Sequence, residues 1–346
     1  MTRLRFGVLG TASVNAYGFL PVIRGISGAE CVAVASRDGE KAARYASKHA
    51  IRGSYGDYDE LLADPGIDCV YVPLPVSMHA EWSLRALSAG KHVLCEKPVA
   101  MNAAEAETIA RAVEKTGLTF AEGFHYRYHP LCVRVEGIIR SGGIGGVREI
   151  KAAFGVPLSR GKIQFRPELG GGALLDVGCY PVSFARWVAG CETATVASAR
   201  ADVTLEGVDA SMSALLEFEN GVRAEIKCSI ARFIPMSALV RGTAGAIFIL
   251  SPFTPAVGVG PFVVDTYLIL VRRGARVTSA RVPTVLSYRR QLEAFCAAVR
   301  GGAQPPTNAR EAVANMRLID AIFRKAGLRA GGRARRRTRF RGEAWR

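Results

Sequence analysis

The residues most able to do chemistry fall in a few short segments. Glu96-Lys97-Pro98 closes an apolar run, His92–Cys95, and Pro98 steers Lys97 away from helical backbone, so the direction of the ammonium is restricted. The carboxyl end of a strand is where open α/β sheets place their ligands, although a lysine there is commonly just solvated. A second segment, Gly170-Gly171-Gly172-Ala173-Leu174-Leu175-Asp176-Val177-Gly178-Cys179-Tyr180-Pro181, sets a carboxylate and a phenol four residues apart. A helix puts such a pair on one face. Tyr180 alone reads equally well as structural. Asp176 lies inside an otherwise apolar stretch and needs a polar partner.

Two further segments suit a nucleotide. Phe6-Gly7-Val8-Leu9-Gly10-Thr11-Ala12 follows a strand-like run and precedes a helical one. Glycine there lets backbone N–H groups approach a pyrophosphate at a helix N-terminus. The fingerprint is degenerate, with Ala12 in one glycine's place and Asn15 in another's. At the end of the second strand-like run, Ser36-Arg37 replaces the acid that usually meets a ribose 2′-hydroxyl. A hydroxyl followed by a guanidinium suits a 2′-phosphate, hence NADP(H) in preference to NAD(H). Asp38 could still reach a ribose, and Arg37 could be a solvated loop residue.

The elements that must hold these groups alternate at first. The pattern predicts strands at Arg5–Leu9, Glu30–Ala35, Cys69–Val72, His92–Cys95 and Thr119–Glu122. Between them it predicts helices at Tyr17–Ile26, Glu40–His49, Asp57–Leu62, Ser77–Ala89 and Ala103–Thr116, several closed by glycines such as Gly28, Gly90 and Gly117. Short, continuously apolar strands separated by helices imply a parallel sheet with right-handed crossovers. After about residue 145, strands follow one another: Val147–Phe154, Thr195–Leu205, Ser211–Glu217, Arg223–Ile230, Met236–Arg241, Gly245–Leu250 and Val263–Arg272. Helices are expected at Ala173–Ala189, Tyr288–Arg300 and Ala309–Ala326. The fold class is therefore α/β: a doubly wound, Rossmann-type parallel sheet over 1–123, then an α+β domain with a large, mostly antiparallel open sheet over 124–328. Residues 329–346 read as a basic, disordered tail.

Composition sets the outer limits. Apolar residues make up 49% and charged residues 22% of the 346, as in a globular protein. No run approaches the ~18 apolar residues of a membrane span. The greasiest stretch, 247–271, is broken by Pro252, Pro255, Pro261 and Asp265, and Met1–Arg5 lacks a signal core. A cytoplasmic address is expected. The eight cysteines form no C-x-x-C pair, and reduced, buried thiols are expected rather than a metal site. The formal charge is +16, but residues 324–346 carry +9 of it through nine arginines and one lysine against Glu343. Such a tail could attract a polyanion by charge alone, whereas the body of the chain does not read as a nucleic-acid binder.

Taken together, Gly7–Ala12, Glu96-Lys97-Pro98 and Gly170–Tyr180 resemble the glucose-fructose oxidoreductase / inositol dehydrogenase (Gfo/Idh/MocA) family over about residues 4–327. Val72–His79, Ala89–Cys95 and Glu122–Pro130 are similar as well. Tyrosine at 180, where many members carry histidine, resembles the branch of dihydrodiol and xylose dehydrogenases and nucleotide-sugar 3-ketoreductases. The resemblance implies that Lys97 and Tyr180 meet beside a nicotinamide and that Asp176 orients Lys97 or binds a substrate hydroxyl. A phenol of pKa ~10 is a poor base at neutral pH, and a nearby ammonium is expected to lower it. The implied cofactor residues are Gly7, Gly10, Thr11, Ala12, Ser36, Arg37, Pro75, His79, Glu96, Lys97 and Arg166, with Arg127 and Phe165 near the pocket. His125 and His129 read as structural. No metal is implied. The implied substrate is a sugar, polyol or cyclic diol, with a nucleotide-deoxysugar 3-ketoreductase as the alternative enzyme. A cofactor-binding sensor or corepressor is the alternative of another class, and a homodimer or homotetramer is implied.

Overall fold

The structure, a computed structural model, describes residues 3–253, 266–283 and 286–329. The first part alternates as β1 (Leu4–Leu9), α1 (Leu20–Ile23), β2 (Ala29–Ala35), α2 (Gly39–Lys48), β3 (Gly53–Tyr55), α3 (Tyr58–Ala63), β4 (Cys69–Val72), α4 (Val76–Ser88), β5 (His92–Cys95), α5 (Ala103–Thr116) and β6 (Phe120–Glu122). The six strands form one sheet in the order β3-β2-β1-β4-β5-β6, with every pair parallel. All four residues of β4 are buried, as a strand covered on both faces requires. Helix ends follow local chemistry. Asn102 accepts the Glu105 N–H at 3.0 Å to start α5, and Gly117, at φ 68°, closes it. The strand β3 was not expected, because three residues that begin with glycine carry no apolar run.

The second part comprises α6 (Pro130–Arg140), β7 (Val147–Gly155), α7 (Cys179–Ala189), β8 (Ala194–Val203), β9 (Asp209–Phe218), β10 (Arg223–Ser229), β11 (Ile234–Gly242), β12 (Gly245–Leu250), β13 (Thr266–Arg273), β14 (Arg276–Pro283), α8 (Ser287–Val299) and α9 (Ala309–Lys325). Eight strands form the sheet β14-β13-β12-β11-β7-β10-β9-β8, antiparallel except for the β7–β10 pair. Neither α6 nor β14 was expected. Leu131, Cys132, Val135 and Ile138 are the buried stripe of α6, a helical spacing that the flanking proline and glycines obscure. The strand expected at Val263–Arg272 starts at residues outside the described ones, and so does the basic tail from residue 330.

One face of the large sheet packs with α7 and α9 in a core continuous with that of the first sheet. Along the outer edge of the alternation, Leu215, Phe248 and Leu250 stay exposed. Helix α8 returns to the first sheet. Leu292, Phe295 and Cys296 share a core with Phe6, Val8 and Phe19, and the rings of Phe6 and Phe295 lie 6.0 Å apart. All eight cysteines are unpaired and six are buried. Among the described residues no helix is long and apolar enough to cross a membrane, and no cluster of three His, Cys, Asp or Glu is placed to hold a metal.

Candidate active site

The loop after β1 is shaped by two glycines with different tasks. A Cβ on Gly7 would lie 2.6 Å from Leu61 Cδ2, so glycine lets α3 pack closely. Gly10 turns the chain at φ 86°, with Leu74 Cδ2 2.9 Å from where a Cβ would stand. Asn15, which looked like a defect in the fingerprint, is fully buried and donates from Nδ2 to the Gly10 carbonyl at 3.0 Å. An amide thus ties the helix start back to the loop where a glycine would only permit close approach. After β2, the Asp38 carboxylate accepts the Lys41 N–H at 3.0 Å as the cap of α2. That engages one oxygen of the acid that could have met a ribose. Arg37 beside it is exposed, and Ser36 is buried.

Lys97 leaves the end of β5 with a cis peptide to Pro98. Its Nζ donates to the Asp176 carbonyl at 2.7 Å and lies 3.8 Å from the Asp176 carboxylate. Burial works against the ammonium, but Cys179, Asp176 and Glu96 outweigh it and hold its pKa above the ordinary lysine value. Glu96 accepts from the Tyr71 hydroxyl at 2.7 Å, and burial raises its pKa. His79 braces the same turn. Its Nδ1 lies 2.8 Å from the Pro98 carbonyl and its Nε2 2.6 Å from the Leu74 carbonyl. Burial pushes its pKa down to about 4, so the ring is neutral and donates to one carbonyl at a time.

The glycine run places the opposite wall. The carboxylate of Asp209, on β9, accepts the Leu174 N–H at 2.7 Å and so caps the helical segment that carries Asp176 and Tyr180. A Cβ on Gly172, at φ 122°, would collide with Asp209 Oδ1, which is why this position is glycine. The segment opens with a wide π-type turn over Leu174–Gly178 before α7, not the uninterrupted α-helix expected from Ala173. Such turns recur at functional sites. Tyr180 is 5% exposed and packed by Phe124, Phe154 and Phe253, with ring centroids 5.5, 5.8 and 5.9 Å away. Lys97 Nζ sits 5.0 Å over the centroid of its ring. The expectation of a lowered phenol pKa is therefore corrected. Burial, and then the neighbouring Cys179, Glu96 and Asp176, push it well above the ordinary tyrosine value.

Ala12, Pro75, His79, Glu96, Lys97, Asp176 and Tyr180 come together around one cleft of about 360 Å³ at the carboxyl edge of the first sheet. Gly7, Gly10, Thr11, Ser36 and Arg37 lie on the nucleotide-loop side and do not line this cleft. Arg166 does not line it either: it pairs with Glu168 at 2.8 Å, with its side chain 59% exposed. Tyr17 and Tyr288 do line it, the two rings meeting edge to face at 6.2 Å, and Tyr288 stacks on His125 at 4.0 Å. No local signal marked them, because they are far apart in the chain and meet only where α8 docks. Asp209 was missed for the same reason.

A doubly wound nucleotide domain, an open-sheet partner domain and a lysine–aspartate–tyrosine cleft between them define a dinucleotide-dependent oxidoreductase. Residues 4–124 match the family model described as an oxidoreductase family with an NAD-binding Rossmann fold, and residues 132–248 match the GFO/IDH/MocA C-terminal domain. The chain belongs to the GFO/IDH/MocA family. It is 37% identical over 325 residues to D-xylose 1-dehydrogenase (NADP(+)) 2 of Haloferax volcanii, covering 93% of this chain and 97% of that one. It is 37% identical over 301 residues to a dTDP-3,4-didehydro-2,6-dideoxy-alpha-D-glucose 3-reductase of Saccharopolyspora spinosa, covering 86% and 88%. The fold superposes on a 3-ketoreductase from Actinomadura kijaniata, crystallised with NADP and TDP-benzene, with a TM-score of 0.85 at 30% identity, covering 93% and 97%.

Proposed function

We propose that this oxidoreductase uses NADP(H) to interconvert a hydroxyl and a carbonyl on a sugar, polyol or cyclic diol. The observation that carries the reading is the meeting of Lys97, Asp176 and Tyr180 in one cleft beside the nucleotide loop. The loop fits a dinucleotide: Gly10 opens the backbone at the helix start and Asn15 holds it there. Ser36 and the exposed Arg37 fit a 2′-phosphate, a hydroxyl and a guanidinium at the end of β2. When bound, the nicotinamide supplies or accepts the hydride.

The chain's own groups manage the proton and the charge. Lys97, kept charged by Asp176, donates to the reacting oxygen and stabilises the charge that develops there. In the reductive direction Tyr180, which keeps its proton through neutral pH, gives it to the forming alkoxide. The activities of the xylose dehydrogenase and the dTDP-sugar 3-reductase to which the chain is similar support a sugar substrate. A second reading, reduction of a nucleotide-linked 3-ketosugar, is supported by the likeness to the two 3-ketoreductases. A sensor without turnover fits less well, because the three acid–base groups are all present.

We further propose a split into residues 1–123 and 124–328, with α8 docking back on the first unit. Cytoplasmic residence is proposed too, as is a homodimer or homotetramer through the sheet face that exposes Leu215 and Phe248. Fluorescence titration of NADPH against NADH, on the wild type and Arg37→Ala, tests the cofactor. Turnover of D-xylose, a cyclic diol and a nucleotide 3-ketosugar then separates the two substrate readings. Binding of neither cofactor would sink the function.

A further inference from the structure

Glu122, the last residue of β6, takes no part in the chemistry above, yet its carboxyl group is enclosed at 1% exposure. Its Oε1 accepts the Val99 N–H at 2.9 Å, two residues past Lys97. Its backbone is held on both sides. The N–H donates to the Thr307 carbonyl at 2.8 Å, and the carbonyl accepts from Thr307 Oγ1 at 2.8 Å and Gln291 Nε2 at 3.3 Å. The next N–H, of Gly123, donates to the Cys95 carbonyl at 2.7 Å, and a Cβ on Gly123 would come within 3.0 Å of Glu96 Cα. The carboxyl group is thus rigid with respect to the Glu96-Lys97-Pro98 turn.

On its other side stands Arg186 of α7, six residues after Tyr180 in the chain. Arg186 is 4% exposed and pairs through Nη1 with Glu311 of α9 at 3.1 Å, while its Nε has no partner. Glu122, Arg127, Arg186, Thr307, Glu311 and Asn315 line a cavity of about 10 Å³. That is near the smallest space a water can occupy, about one probe sphere. Asn315 is 2% exposed and neither atom of its amide is paired; Arg127 Nε is unpaired too. Such groups are costly to bury without partners. The wall offers N–H donors from both arginines and Asn315, and oxygens from Asn315 and Glu122, and one water can bridge up to two of the donors to two of the oxygens.

We propose that Glu122 and Arg186 form a positioning strut, closed by one buried water, that holds the Lys97 turn against the helix bearing Tyr180. The proposal rests on the Lys97–Tyr180 reading of the site. Burial pushes the Glu122 pKa up to about 8, opposed by the Val99 hydrogen bond and Arg186, supported by Glu311 and opposed again by Lys97. Its ionisation near pH 8 therefore introduces a charge that both Arg186 and Lys97 feel.

A crystal structure of the unmutated chain should show one water bonded to Asn315 and Arg186 Nε; a cavity closed by direct side-chain pairing overturns the water. In kinetics, Glu122→Ala should lower kcat at least about tenfold through misplacement of Lys97, with NADPH affinity and substrate KM within about twofold. Glu122→Gln keeps the acceptor for Val99. It should stay within about threefold of wild type at pH 7 and lack the step near pH 8 in the wild-type kcat profile. A kcat for Glu122→Ala within about twofold of wild type, or a step that persists in Glu122→Gln, overturns the strut. Should Glu122→Ala fail to fold, the Glu122→Gln profile decides alone. If Lys97→Met and Tyr180→Phe leave turnover intact, the site reading has failed and the strut falls with it. If they abolish turnover while Glu122→Ala does not, only the strut has failed.

Discussion

Around the Tyr180 phenol two effects compete, and their magnitudes decide its role. The ammonium of Lys97 lies over the ring face, whereas burial among aromatic rings and nearby acids disfavour a phenolate. Tyr180 is thus an acid at neutral pH and becomes a base only as pH rises. The rate of alcohol oxidation should climb steadily on the alkaline side, while carbonyl reduction should not, and initial rates in both directions will check this. Tyr180→Phe removes the proton donor and should cost roughly 10²–10⁴-fold in kcat, with NADPH still bound. At the nucleotide end, Arg37→Ala should weaken NADPH by roughly ten- to a hundredfold and leave NADH unchanged, since one charge-assisted contact to a phosphate is worth about 1.5–3 kcal/mol. Equal losses for both cofactors would show that Arg37 does not read the 2′-phosphate.

Between neighbouring elements, the glycine run is a fitting problem and not a flexible hinge. Gly172 yields space to the Asp209 carboxylate, which caps the turn that presents Asp176. Gly172→Ala adds a Cβ at φ 122° against that carboxylate and should cost about 1–3 kcal/mol of stability, read as a lowered melting temperature. Asp209→Ala should reproduce the loss with the glycine intact, by leaving the Leu174 N–H without its acceptor. If both variants melt like the wild type, the cap does not hold this segment.

For the molecule as a whole, buried titratable groups set how stability follows pH. Burial raises Glu122 to about 8 and Asp209 to about 7, far above unfolded carboxyl values. Such groups stabilise the fold fully below their unfolded pKa, and the contribution is lost as pH rises through the folded values. His79, lowered to about 4 by burial, acts oppositely, and its contribution is lost as pH falls from 6.5. Of these three groups only the carboxyls still act above pH 6.5, so the melting temperature should fall between pH 6.5 and 8. Glu122→Gln should flatten part of that fall; a melting temperature that rises over this range would contradict the assignment.

Local patterns made much of this legible from the residues alone. The strands Cys69–Val72, His92–Cys95 and Gly245–Leu250 and the helix Ala103–Thr116 appear with the expected bounds, because apolar runs, helical spacing and glycine stops act over a few neighbours. The segments carrying Lys97 and Tyr180 were legible as well, and their meeting in one cleft is what the family likeness implied. Other features depended on partners far along the chain. Asn15 ties its loop, Asp209 reaches Leu174 from β9, and Tyr288 meets Tyr17 only once α8 has packed under the first sheet. The direction of the Tyr180 pKa belongs with these. It comes from the loss of water and the sum of charges around a buried phenol, quantities that exist only after distant segments have closed over it.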